Sequence, residues 1–159
     1  MKHIIGVGDM RISNVSGDLM VTHALGSCLG IAVHDRTTGI GGMLHVMLPT
    51  STINPSKAEA NPCMFVNTGV PALLRQVLTA GAAKNRLAIK VAGGSKKQTE
   101  GTDQFAIGKR NYIMLRKVLW QYNLLLDGED IGGESPRTMY LEIGSGRVWL
   151  NSLGQKIDL

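Results

Sequence analysis

Leu29-Gly30-Ile31-Ala32-Val33-His34-Asp35 and Gly41-Gly42-Met43-Leu44-His45-Val46-Met47-Leu48-Pro49 are two apolar runs joined by Asp35-Arg36-Thr37-Thr38-Gly39. Asp and Gly at the ends of a five-residue connection between apolar runs are the signature of a β-hairpin. With the turn centred near Thr37, Cys28 lies nine residues before it and His45 eight after. Antiparallel pairing therefore carries both to a similar height at one end of the hairpin. A slip of one residue would turn either side chain to the opposite face.

Immediately upstream, Val21-Thr22-His23-Ala24-Leu25-Gly26-Ser27-Cys28 places a thiol where a Gly-Ser turn meets the apolar run. A buried cysteine behaves as a small hydrophobe and needs no such setting. A nucleophilic one must be accessible, deprotonated when it reacts, and close to a base. On residue chemistry alone the two readings of Cys28 stand even. His45, with an ordinary pKa of about 6.5, suits proton transfer in both directions, although a lone histidine in an apolar strand is more often a satisfied core residue. Thr22 is by default a β-branched strand former, but its hydroxyl can orient an imidazole. Their joint placement raises all three together, with Gly26 and Ser27 offering backbone N–H groups to developing charge.

The remaining segments predict an α+β fold in which strands, helix, strand, helix and strands follow one another. Ile4, Ile5 and Val7 start a first strand, Arg11-Ile12-Ser13-Asn14 reads as a polar stretch, and Leu19 to Thr22 resumes an apolar run. Thr50 to Pro62, rich in Ser, Thr, Asn, Pro and Lys, reads as a surface loop. Helical periodicity runs from Phe65 to Ala80, stopped by Gly81, and again over about Ile107 to Tyr122. In the second helix Ile113, Met114, Val118 and Tyr122 are the expected apolar stripe, with Lys109, Arg110, Arg116 and Lys117 solvated. Strands are expected at Leu87 to Ala92, Leu124 to Leu126, Thr138 to Ile143 and Arg147 to Leu150, with a polar, cationic loop at Ser95 to Gly101.

Length and composition set the outer limits. At 159 residues and 17.1 kDa, with 43% hydrophobic residues, the chain is expected to form one domain spanning 1–159. No apolar run of spanning length and no signal-peptide pattern is present, so a soluble cytoplasmic protein is expected. A net charge of +5 favours acidic partners, while 4% aromatic residues leave nucleic-acid binding poorly supported. Cys28 and Cys63 read as free thiols, and His3, His23 and His34 lack the spacing of a zinc site, so neither metal nor cofactor is expected. Gly93-Gly94-Ser95-Lys96-Lys97 lacks phosphate-loop spacing, and its glycines read as a tight turn or a close backbone approach.

Taken together, Leu25-Gly26-Ser27-Cys28 and Gly41 to Pro49 resemble the signature of the chemoreceptor glutamine deamidase family, CheD. Further family-like pieces follow in order: Val91-Ala92-Gly93-Gly94, Ile107-Gly108-Lys109-Arg110-Asn111, and Asp130-Ile131-Gly132-Gly133 with Arg137. The resemblance implies a cysteine amidohydrolase that converts glutamine side chains of methyl-accepting chemotaxis receptors to glutamate. By the resemblance Cys28 would be the nucleophile, His45 the base and acid, and Thr22 the orienting group; the turn's own chemistry adds backbone N–H groups at Gly26, Ser27 and Cys28 as an oxyanion site. The resemblance also implies an α+β sandwich similar to the catalytic domain of deamidating toxins, receptor cytoplasmic helices as substrate, and the phosphatase CheC as a further partner. Asn61 to Gly69 and Lys109 depart from the family's pattern. A non-catalytic adaptor for CheC or receptors, and a thiol transamidase, are the competing readings.

Overall fold

The computed structural model describes residues 1–96 and 106–159. Residues 97–101 of the expected cationic loop lie outside the described residues. Strands β1 (Lys2–Ile4), β2 (Asp9–Ser13), β3 (Leu19–Leu25), β4 (Leu29–Asp35) and β5 (Ile40–Val46) come first. After them the chain forms α1 (Pro55–Ala60), α2 (Val66–Ala80), β6 (Leu87–Gly93) and α3 (Ile107–Gln121). Strands β7 (Gly128–Ile131), β8 (Arg137–Glu142), β9 (Val148–Ser152) and β10 (Gln155–Asp158) complete it.

The strands build two five-stranded sheets, ordered β1-β3-β8-β9-β10 and β2-β5-β4-β6-β7. Period-two alternation sorts the side chains of the second sheet. Leu29, Ile31 and Val33 of β4 and Leu44 and Val46 of β5 pack with Val70, Leu73, Leu74 and Val77 of α2 and with Leu115, Val118 and Leu119 of α3. Ala32, Met43 and Ala92 face the other way and meet Met20, Met139, Leu141 and Leu150 of the first sheet. The architecture is therefore α+β in three layers: sheet, sheet, helices.

The hairpin forms as the sequence predicts, with Asp35 opposite Ile40 and Gly30 opposite His45. The polar stretch is instead an edge strand, β2, laid antiparallel along β5 with Asp9 opposite His45. An edge strand with one solvated side needs no apolar run, which is why its sequence looked like a connection. The segment 50–62 is not a plain loop. Asn54 accepts from the Lys57 N–H at 3.1 Å and Pro55 opens α1, a cap and first-turn proline in the expected order.

Two further expectations are corrected. Leu124 to Leu126 forms no strand. Leu124 and Leu126 lean on the helix-side core, Leu125 is exposed, and the chain first bonds to β6 at Asp127, whose N–H donates to the Ile89 carbonyl. In α3 the buried stripe is Gly108, Asn111, Leu115, Val118 and Leu119, whereas Ile113 and Tyr122 are exposed. Leu115 and Leu119 share one face at the i, i+4 spacing, and that face, not the one through Ile113, meets the sheet.

Candidate active site

Alternation places Cys28, Gly30 and His34 on the face of β4 and its approach that looks toward the first sheet, and Met43 and His45 on the matching face of β5. Cys28 is half-buried and packs against the inter-sheet core. Leu29 pairs with Val46, so Cys28 sits one step beyond the last rung, at the end of the hairpin that carries His45. Thr22 reaches the same place from the first sheet, through β3.

Thr22 and His45 are joined directly. The Thr22 hydroxyl donates to the Ile5 carbonyl at 2.7 Å, and its Oγ1 lies 2.7 Å from His45 Nδ1. A hydroxyl has one hydrogen and a carbonyl only accepts, so Oγ1 must accept from Nδ1–H. The hydrogen-bond chain thereby assigns the tautomer and leaves the lone pair at Nε2. His45 is only 2% exposed, and its Nε2 is buried without a hydrogen-bond partner among the described residues. Such an orphan costs about 1–3 kcal/mol, which folding alone would avoid. Burial also pulls the imidazole pKa down to about 4, so the ring is neutral near pH 7 and its free nitrogen can take a proton.

Local backbone features hold this arrangement. The β3–β8 pairing shifts register between Thr22 and Leu25, and Ala24 adopts φ 55°, a left-handed conformation that costs a non-glycine residue about 1 kcal/mol. This bulge interrupts β3 after Thr22, pairing resumes at Leu25 opposite Arg137, and the chain then turns into Gly26-Ser27-Cys28. Opposite His45, Gly30 leaves room for the threonine, because a Cβ there would fall 3.2 Å from Thr22 Cγ2. At Gly93, φ 114°, a Cβ would lie 2.1 Å from the Cys28 carbonyl oxygen. The expected close approach at Gly93-Gly94 therefore occurs directly against the thiol residue.

All three carbonyls of the turn are tied to other elements. Gly26 O accepts from the Ser95 N–H at 2.8 Å and Cys28 O from the Gly94 N–H at 2.9 Å. Ser27 O accepts from Asn111 Nδ2 at 3.0 Å. Sequence reasoning gave Asn111 and Ser95 no role. The available signal was a carboxamide inside the helix's buried stripe, which the misplaced stripe concealed. Arg137 braces the neighbouring loop by donating to Asp130 Oδ1 at 2.6 Å and to the Gly132 carbonyl.

The other reactive side chains are differently placed. Cys63 is half-buried on the short turn before α2, and burial together with the Asp9 carboxylate pushes its pKa up, which keeps it a thiol. His34 is buried and donates from Nε2 to the Ile143 carbonyl at 2.8 Å. Among the described residues, no three His, Cys, Asp or Glu side chains group as a metal site would require, and no helix is long and apolar enough to cross a membrane. A groove of about 670 Å³ along the C-terminal half of α3 contains none of Thr22, Cys28 and His45.

Fold and site together define a class: an α+β protein of two stacked sheets that holds an oriented, neutral histidine beside a cysteine-bearing turn. The comparisons with known proteins specify it further. Residues 47–152 match the profile of the family described as CheD, chemotactic sensory transduction. A protein of Solibacter usitatus named probable chemoreceptor glutamine deamidase CheD is 47% identical over 98% of this chain and 92% of its own length. One of Syntrophus aciditrophicus, named probable chemoreceptor glutamine deamidase CheD 1, is 43% identical over 95% of this chain and 94% of its own. A Pyrococcus abyssi relative with the first protein's name is 37% identical, with 97% and 94% covered. The chain belongs to the CheD family.

Proposed function

We propose that this protein hydrolyses glutamine side-chain amides on the cytoplasmic helices of methyl-accepting chemotaxis receptors, releasing ammonia and leaving glutamate. Support for the substrate comes from relatives named chemoreceptor glutamine deamidase. The chemistry rests on one observation above the rest: His45 is fixed through Nδ1 by Thr22 and keeps a buried, unpartnered Nε2 at the hairpin end that carries Cys28.

In the proposed reaction His45 Nε2 takes the Cys28 proton as Sγ attacks the carboxamide carbon. A C–S bond forms, the carbonyl electrons move onto oxygen, and a tetrahedral oxyanion results. N–H groups of the Gly26-Ser27-Cys28 turn receive that charge. The turn's carbonyls are already engaged by Ser95, Asn111 and Gly94, which anchors the backbone that carries these donors. One such donor is worth about 3–4 kcal/mol of barrier. The C–N bond then breaks as imidazolium returns its proton to the departing ammonia, leaving a thioester. Water, deprotonated by the same Nε2, attacks the thioester and releases glutamate and the thiol.

The new carboxylate changes receptor surface charge, and the chain's net +5 favours approach to acidic helices. A cytoplasmic location and CheC as a partner belong to the same proposal, on the family resemblance alone. The test is intact-mass analysis of a receptor cytoplasmic fragment incubated with the wild type or with Cys28→Ala. A gain of about one dalton per site that requires Cys28 is expected from covalent catalysis. The same gain with Cys28→Ala overturns the mechanism. Incorporation of an added amine in place of water would identify a transamidase instead.

A further inference from the structure

We infer that Asn111 is a positioning residue for the reaction, acting through the backbone on both sides of the cysteine–histidine pair. Asn111 lies on α3, outside the two sheets that supply Thr22, Cys28 and His45, and is 0% exposed. Its Nδ2 donates to the Ser27 carbonyl at 3.0 Å and to the Met47 carbonyl at 3.0 Å. Ser27 immediately precedes Cys28, and Met47 stands two residues after His45.

The location of this clamp explains its need. The β4–β5 ladder ends at Leu29 opposite Val46, so no rung between these two strands crosses the next step, where the Cys28 carbonyl accepts from the Gly94 N–H and the Met47 N–H donates to the Met64 carbonyl, each turned away from the other. Asn111 supplies the missing rung. One amide nitrogen carries two hydrogens, and each satisfies a carbonyl on a different side of the gap. A serine offers one donor and a leucine none. The side-chain Oδ1 is buried without a partner among the described residues, a cost that an apolar residue would avoid. The amide therefore stands there for its donors. It fixes the distance between the sulfur and the imidazole without touching substrate.

The inference rests on the proposed thiol–imidazole chemistry, and its test separates the two. Asn111→Ser and Asn111→Leu are compared with the wild type by receptor deamidation and by the pH dependence of Cys28 alkylation with iodoacetamide, each rate corrected for folded fraction. The donor count orders the expected losses: kcat falls in the series Asn, Ser, Leu, by about 10- to 100-fold at Leu, the scale of an ångström-sized misplacement of reacting groups. KM stays within about two-fold, because on this reading the amide does not meet substrate. The alkylation midpoint moves toward that of His45→Gln. Should the leucine variant fail to fold, the serine variant decides by the same readouts. A folded variant with wild-type kcat and an unmoved alkylation profile overturns the inference, as does a loss confined to KM. Absence of wild-type deamidation overturns the proposed function instead, while the alkylation series still judges the clamp.

Discussion

His34 and His45 lie at opposite ends of one hairpin, both buried, both facing the first sheet, and each opposite a glycine, Gly41 and Gly30 respectively. Their nitrogens are used in opposite ways. His34 donates its Nε2–H to the Ile143 carbonyl and so fastens one sheet to the chain leaving β8. His45 donates from Nδ1 to a threonine hydroxyl and leaves Nε2 unspent. Burial and strand position are nearly equal, so neither distinguishes a structural histidine from a reactive one. Which nitrogen is engaged, and by what, makes the distinction.

The comparison breaks most sharply at His45. Replacing it with Gln should reduce kcat about 10²- to 10⁴-fold, the usual worth of a general acid–base group, in an ammonia-release assay. Thr22→Val comes next. It removes the acceptor for Nδ1–H, frees the ring to change tautomer, and is expected to cost about 10- to 100-fold in kcat, as loss of a residue orienting a histidine does, with melting temperature reported alongside. Thr22→Ser, which keeps the hydroxyl, should recover most of the rate.

At the other end the effect passes from rate to stability. His34→Ala strands the Ile143 carbonyl and should cost about 1–3 kcal/mol in urea unfolding, while kcat per folded molecule stays unchanged. Nearby Asp35 accepts from Arg86 Nη2 at 2.9 Å and from the Ala83 and Thr37 N–H groups, and these bonds hold its carboxyl well below the usual range. Its contribution is therefore present above the ordinary carboxylate pKa near 4 and is lost as pH falls below that value. Asp35→Asn should lower the urea midpoint at pH 7 and flatten its acid dependence, again without altering kcat.

The gentlest probe changes no residue. A base works only while unprotonated, and burial holds the His45 pKa at about 4. The acid limb of kcat/KM should therefore fall near pH 4–5, below the ordinary histidine value of about 6.5. The same lowered pKa means that the unfolded chain takes up the proton first, so His45's part of the folding stability is complete above about pH 6.5 and declines toward pH 4. Rates must be taken on the folded fraction, and a limb centred at 6.5 would sink the buried-base reading.

Legibility differed from one element to the next. The hairpin, α2, β6 and the β8–β9 pair could be read because their turn residues and periodicities are local. The second strand was missed because an edge strand exposes one side, and Leu124 to Leu126 misled because three leucines look alike whether or not a ladder receives them. Thr22, Cys28 and His45 were legible as candidates, and hairpin arithmetic brought two of them to one end. The contribution of Asn111 was not legible, since nothing in Ile107-Gly108-Lys109-Arg110-Asn111 says which face of the helix turns inward.

By itself the sequence determined the hairpin, its turn and the co-location of Cys28 with His45, because a short turn fixes the strand register and the register carries both residues to one end. Only tertiary structure decided that Thr22 would reach His45 from another sheet, that Nε2 would be the nitrogen left open, and that a helix carboxamide would close the last rung beside the thiol. Those outcomes depend on which faces of three layers meet, and that is settled by burial of the whole chain rather than by any local pattern.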